Sequence, residues 1–298
     1  EFRRVLFRSR LLALAWLVVS FMLPVSASAQ SFRWVRQFGT DADDEVNAVA
    51  VSAAGVFAGG ETTGTFPGQG SAGGVDAFVA RYDIAGNQLW VRQFGSSASD
   101  YVYGLAADST GVYAVGTTNG TLPGKTRVGN SDIFIRKYSP AGTELWTQQL
   151  GSSDQDEGFA VAADATGVYV AGKQSGDGIV RKYDANGNEL WTRLIATLSS
   201  DEVLGIAADT SGVYAAGRTN GELTPPKAGI ADFDLFVRKF DKDGAVLWTR
   251  QLGTIANEQG NAIAVDSTGV YVAGDTTGTF PGQTKAGGLW DKIGRAHV

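Results

Sequence analysis

Apolar residues along this chain fall in short runs bounded by Gly, Asp, Asn and Ser. The runs are near-continuous rather than strictly alternating, as in Ile133-Phe134-Ile135 and Val168-Tyr169-Val170-Ala171. Runs of that length between turn residues predict strands buried on both faces. No stretch sustains a 3.6-residue period with caps, so helix should be minimal. Between Trp90 and Trp146 the pattern predicts strands at Val102–Ala107, Val112–Gly116, Asp132–Tyr138 and Glu144–Leu150. The first two are joined by Asp108-Ser109-Thr110-Gly111, the last two by Ser139-Pro140-Ala141-Gly142, and the middle two by the long loop TTNGTLPGKTRVGNS. Glycines recur in the first turn (55, 111, 167, 212, 269) and in the third (86, 142, 187, 244), where tight hairpins call for positive φ.

The pattern repeats. Tryptophan returns at Trp34, Trp90, Trp146, Trp191 and Trp248, giving units of 56, 56, 45 and 57 residues and an incomplete last one. Four antiparallel strands in a unit of that size make one propeller blade, so the expected class is an all-β β-propeller with four complete blades and a partial fifth. Small residues in AVAV, GLAA, AVAA, GIAA and AIAV suit an innermost strand, where blades converge, and the tryptophans suit the wide outer strand. A β-solenoid is the alternative, but its rungs are shorter and lack this hairpin order. The third unit departs from the others: KQSGDG at 173–178 replaces the long loop.

The ends carry a different signal. EFRRVLFRS at 1–9 and the tail from residue 292 to 298 are readings of the two strands of one oligonucleotide resembling a common sequencing adapter, and are set aside. The only histidine, His297, lies in that tail. Residues 10–29 read as a secretory signal peptide: Arg10, the apolar run LLALAWLVVSFML and an Ala27-Ser28-Ala29 cleavage site. The run is short of the roughly 20 residues a membrane anchor needs. The mature chain is expected to start at Gln30, to leave the cytoplasm for the periplasm, cell surface or medium, and to have no membrane span after cleavage. The propeller fragment is then 30–291.

Charge narrows the partners. Without the set-aside ends and the signal peptide, 19 basic and 30 acidic residues remain, a net charge of 19 − 30 = −11. That balance argues against nucleic acid. There is no cysteine, so stability must come from burial rather than disulfides. Without cysteine or a histidine in the propeller, Ser–His and Cys–His catalysis lack material, and no catalytic residue, metal site or cofactor is assigned.

Two acids recur. Ten residues after each tryptophan stands Asp44, Asp100, Asp156, Asp201 or Glu258, and six before the aromatic ending strand three stands Asp76, Asp132, Asp177 or Asp234. One reading is a ring of carboxylates gathering calcium. The other, preferred because a residue needed in every blade builds blades, is a loop pin that accepts backbone N–H bonds. The turns around Asp184 and Asp241 faintly echo a calcium loop but lack its other ligands. Arg136-Lys137, Arg181-Lys182 and Arg238-Lys239 on strand three are expected to pair with carboxylates across strands or blades. Above the shortened third-unit loop the neighbouring loops should leave a notch, lined by Lys125, Arg127 and Asn130 on one side and Arg218, Asn220 and Lys227 on the other.

WVRQFG, GVYVAGDTTGTFPG, DAFVARYD and AGNQLW resemble the SBBP repeat, the seven-bladed β-propeller repeat of bacterial secreted and surface proteins. The resemblance covers residues 34–291. It implies a propeller, seven blades in the full protein, and no particular activity. The expected function is a secreted, non-enzymatic scaffold, monomeric at full length, that binds protein or glycan. The alternative is a polysaccharide hydrolase or lyase using paired carboxylates. Ser31–Phe38, which has no preceding strands, is expected to be the outer strand of a missing last blade.

Overall fold

In a computed structural model of the chain, residues 33–225, 227, 232–285 and 291–294 are described. The two set-aside tips other than 292–294, and the expected signal peptide, lie outside them. Each apolar run becomes one strand, and four consecutive strands form one antiparallel sheet. The first blade is β1 (Asp44–Ser52), β2 (Gly55–Thr62), β3 (Asp76–Tyr82) and β4 (Gln88–Phe94); the second is β5 (Asp100–Asp108), β6 (Gly111–Thr118), β7 (Asp132–Tyr138) and β8 (Glu144–Leu150). β9 (Asp156–Asp164), β10 (Gly167–Gln174), β11 (Asp177–Tyr183) and β12 (Glu189–Ile195) make the third. β13 (Asp201–Asp209), β14 (Gly212–Thr219), β15 (Asp234–Phe240) and β16 (Val246–Leu252) make the fourth. The fifth sheet has three strands, β17 (Glu258–Asp266), β18 (Gly269–Thr276) and β19 (Asp291–Gly294). No helix occurs among the described residues.

The first turn closes as its residues dictate. Asp108 Oδ1 accepts bonds from the Thr110 N–H and hydroxyl, both at 2.6 Å, and from the Gly111 N–H at 3.1 Å, while the Tyr113 hydroxyl donates to Oδ2. Burial raises the Asp108 pKa, but these donors outweigh it and hold the carboxyl below its ordinary value.

The core lies between blades. Phe57, Val79, Trp90 and Phe94 of the first pack on Val102, Val112, Phe134 and Tyr138 of the second, and equivalent clusters join the second to the third and the third to the fourth. Inner strands β1, β5, β9, β13 and β17 pack against one another in succession.

The tryptophan is an inter-blade latch. Trp90 Nε1 donates to Pro140 O of the next blade's third turn at 3.0 Å, and Arg92 Nε donates to Gly142 O at 2.8 Å. Trp146 with Gln148, and Trp191 with Arg193, repeat the pair on the turns ending at Gly187 and Gly244. Gly142 has φ +79°, and a Cβ there would stand 2.9 Å from the Trp90 ring. Backbone conformation and the indole above it therefore both demand glycine. Lys137 and Lys182 donate to the same turn carbonyls, Ala185 O and Lys242 O, rather than to carboxylates. The expected carboxylate pairing holds for their neighbours, Arg136 with Glu144 and Arg181 with Glu189.

Trp34 donates to Ile84 O at 3.1 Å, Arg36 to Gly86 O at 2.7 Å, and the Phe38 ring meets Phe78 edge-on at 5.8 Å, as Phe94 meets Phe134 at 5.5 Å. Residues 34–38 thus occupy the outer-strand place of a blade preceding the first. They pair with no strand, because the rest of that blade is absent from the described residues.

At the far end, Asp291 begins β19 opposite Thr276, as Asp132 begins β7 opposite Thr118. It is a fifth copy of the strand-three acid. Lys292–Gly294, set aside on sequence grounds, extend that strand, since a free edge of β18 pairs with backbone whatever the side chains. The open faces of the terminal blades leave apolar residues in water: Val46 is 46% exposed where its counterpart Val102 is fully buried. A protein limited to residues 30–291 is therefore expected to self-associate, with a sedimentation coefficient that rises with concentration. A concentration-independent, cooperatively unfolding monomer would contradict this.

Candidate functional site

The recurring acids sit at the junctions between blades, at the end where strands two and three are connected. Each of the first set is the opening residue of an inner strand rather than part of the loop before it. Its carboxylate turns back on a Ser or Thr four residues earlier. Ser96 donates its N–H to Asp100 Oδ2 at 2.6 Å and its hydroxyl at 3.0 Å. Thr40 with Asp44, Ser152 with Asp156, Thr197 with Asp201 and Thr254 with Glu258 do the same. The N–H of the acid itself crosses the junction: Asp100 N donates to Val75 O, Asp156 N to Ser131 O, Asp201 N to Gly176 O and Glu258 N to Phe233 O, at 2.7–3.1 Å. Those carbonyls belong to the residues just before Asp76, Asp132, Asp177 and Asp234. One inter-blade seam explains why the two acids recur together.

These donors come from the protein itself, which is the geometry of a pin. Burial raises the Asp100 pKa, against bonds from Thr118 and Ser96 that lower it, and the neighbouring Asp76 adds to the rise; Asp201 is raised in the same way. A carboxyl whose folded pKa is raised contributes stability that is complete below its unfolded value and lost as pH rises through the folded one. Asp100→Asn should therefore cost about 1–3 kcal/mol through its lost bonds, with a penalty larger at pH 3.5 than at pH 7 in urea titrations. Calcium should leave the melting temperature of both proteins unchanged within about a degree, because Asp100 Oδ2 is already taken by the Ser96 N–H and hydroxyl, and its buried Oδ1 alone is far short of the oxygen set calcium needs. A melt that drops with chelator and recovers with calcium only in wild type would restore the ion-ring reading.

The strand-three acids have a second holder. Gln149, three residues after Trp146, donates from Nε2 to Asp132 Oδ2 at 2.8 Å and to Gly120 O at 2.9 Å, while its Oε1 accepts from Leu122 N at 2.9 Å. Gln93 and Gln251 clamp the loops of the first and fourth blades alike. In the third blade the long loop is replaced by a tight turn with Ser175 at φ 51°, and the clamp position holds Leu194, half exposed. Gln and loop come and go together.

The notch residues divide. Lys125, Arg127 and Asn130 stand on the loop between β6 and β7, with Arg127 bonded to Asn130 O. Opposite, Arg218 lies on β14 itself, bonded to Glu202 at 2.9 Å and to Gln259 at 3.1 Å. Lys227 pairs with Asp232 at 2.8 Å, and Asn220 donates its N–H to Ser200 O. The basic charge on that wall is thus met within its own protein surroundings. Residues 226 and 228–231 of the wall lie outside the described residues.

One group of residues was missed by sequence reading. Each inner strand bulges at its fourth residue, at Asn47, Tyr103, Phe159, Leu204 and Asn261, displacing that side chain from the blade ladder. Tyr103 stacks on Tyr101 at 5.9 Å and 5°, and reaches Phe159 of the next blade at 6.4 Å. Beside it Glu45 faces Glu61 directly across β1 and β2, with Asn47 Nδ2 donating to Glu61 and to Val102 O. Burial, then Glu45, raises the Glu61 pKa against the Asn47 bond. The Tyr103 hydroxyl is pushed up to about 12 by burial and by Glu61, Tyr101, Glu157 and Glu45. This sector belongs to two junctions only, which the blade-wise pattern of the sequence could not single out.

The family model described as SBBP, Beta-propeller repeat, matches residues 89–123 and 247–281. Those two stretches match the SBBP repeat. The matched SBBP unit starts on the outer strand of one blade and runs through the first two strands of the next, so it contains one latch tryptophan and one pin acid. Regulatory protein FlaEY of Caulobacter vibrioides is 32% identical over 109 residues, 34% of this chain and 11% of that protein, so the chain spans a small part of that relative. Among solved structures, Sqt1 from Chaetomium thermophilum is similar over 80% of this chain and 68% of that one, at 12% identity and a TM-score of 0.40. Myxococcus xanthus glutaminyl cyclase is similar over 59% and 64%, at 11% identity and a TM-score of 0.32.

Proposed function

We propose that this SBBP repeat chain is an exported, non-catalytic scaffold that binds a protein or glycan partner at the end of the propeller carrying the loops between strands two and three. The observation that supports it is a division of labour. Ionisable residues repeated in every blade are spent on pins, clamps and latches, while those that differ between blades stand free of these duties on the loops and inner strands. Binding residues on rigid scaffolds usually fall in such variable positions. Lys125 and Arg127 are the part of the notch available to an acidic glycan or a carboxylate-bearing partner. Lys125→Glu with Arg127→Glu, leaving the Lys227–Asp232 pair intact, is expected to lower binding on an acidic-glycan array at least fivefold. Undiminished binding would remove the notch from this reading. No binding to any glycan or candidate protein would remove the reading itself.

A further inference from the structure

We propose that the inner-strand shelf of Tyr101, Tyr103 and Phe159, with Glu45, Glu61 and Glu157 around it, binds the side chains of a lysine- or arginine-bearing peptide. This rests on the scaffold reading and names a partner for it. The aromatic surface is built rather than incidental. The bulge on β5 lifts Tyr103 out of the ladder until 37% of it is exposed, and Tyr101 and Phe159 support it from the same strand and from the next blade. At the equivalent bulges other blades carry Asn47, Leu204 and Asn261, so the aromatic pair occurs at one junction.

The charge around the shelf lacks its counterpart. Glu45 and Glu61 oppose each other directly across paired strands, an arrangement that costs stability unless a cation intervenes. Elsewhere the same cross-strand position is neutralised: Glu202 faces Arg218 and also draws Lys173 at 3.6 Å. Lys173 is the register partner of Glu157, yet its ion pair is made with Glu202. Among the described residues no lysine or arginine forms an ion pair with Glu45, Glu61 or Glu157. Ring faces carry negative potential, so stacked tyrosines beside unmatched carboxylates attract an ammonium or guanidinium group. A small free cation would stay hydrated on so open a shelf. A peptide brings its cation tethered, and its backbone can lie along β5, which is the edge strand of its sheet.

The test uses fluorescein-labelled hexalysine and the whole encoded protein, with fluorescence anisotropy at physiological ionic strength. Tyr103→Ala and Glu61→Gln should each weaken binding about threefold to tenfold, whereas Glu222→Gln, which removes one exposed carboxylate from a distant loop, should leave it unchanged. Acetylated hexalysine should not bind. Glu61→Gln is nearly isosteric, so it keeps the test valid if Tyr103→Ala folds poorly. Failure of wild type to bind, full affinity in either variant, or an equal loss in Glu222→Gln overturns the inference. Such a result with acidic-glycan binding intact leaves the scaffold reading standing; loss of glycan binding with hexalysine binding intact does the reverse.

Discussion

Truncating Trp90 to alanine is expected to lower unfolding stability by about 3–5 kcal/mol, read as a lower urea midpoint. The indole is 9% exposed and lies between Phe57 of its own blade and Tyr138 of the next, both at 6.0 Å. Its loss removes that packing and the bond to Pro140 O. It also uncovers Gly142, whose φ was accommodated beneath the ring. Trp248→Ala is the comparison. Trp248 packs on Tyr214 at 6.2 Å within its own blade, and among the described residues no following third turn lies beneath it. It should cost less than half as much. Equal penalties would mean that the tryptophans stabilise single sheets and that the latch adds nothing.

Gln149→Leu is expected to cost about 2–4 kcal/mol, because it strands the Leu122 N–H and leaves the Oδ2 of fully buried Asp132 with the Val128 N–H alone. The loop at 119–131 should become the first site of proteolysis, since its anchor at Leu122 is released. Leu194→Gln is the mirror change and should fall within about 0.5 kcal/mol of wild type, as an exposed substitution with no loop to hold. A neutral Gln149→Leu would show that Asp132 and the loop are held by other contacts.

Most of the frame could be read from the chain because it is written five times. Trp90 and its copies, the glycines at 86, 142, 187 and 244, and the two acid series each recur at fixed offsets, and each proves to be part of one junction. The Ser or Thr four residues before the inner-strand acid recurs equally well, and WVRQ, WTQQ and WTRQ against WTRL already marks which blades carry a long loop. Those signals were present but meaningless until the hydrogen bonds joined them. Tyr103, Glu45 and Glu61 are different. Their meeting depends on a one-residue bulge and on the packing of one blade against the next, and neither has a sequence signature. Charge neutralisation was equally hidden: Arg218 looks like a free base until β13 brings Glu202 opposite it.

The claim that the repeated acids form inter-blade seams is tested most directly by native-state amide hydrogen exchange. The N–H groups of Asp100, Asp156, Asp201 and Glu258 each donate to a carbonyl of the preceding blade. Their exchange should occur only on global unfolding, at the rate of core amides such as Phe134. Exchange at these four positions as fast as in the loop at 63–75 would contradict the account.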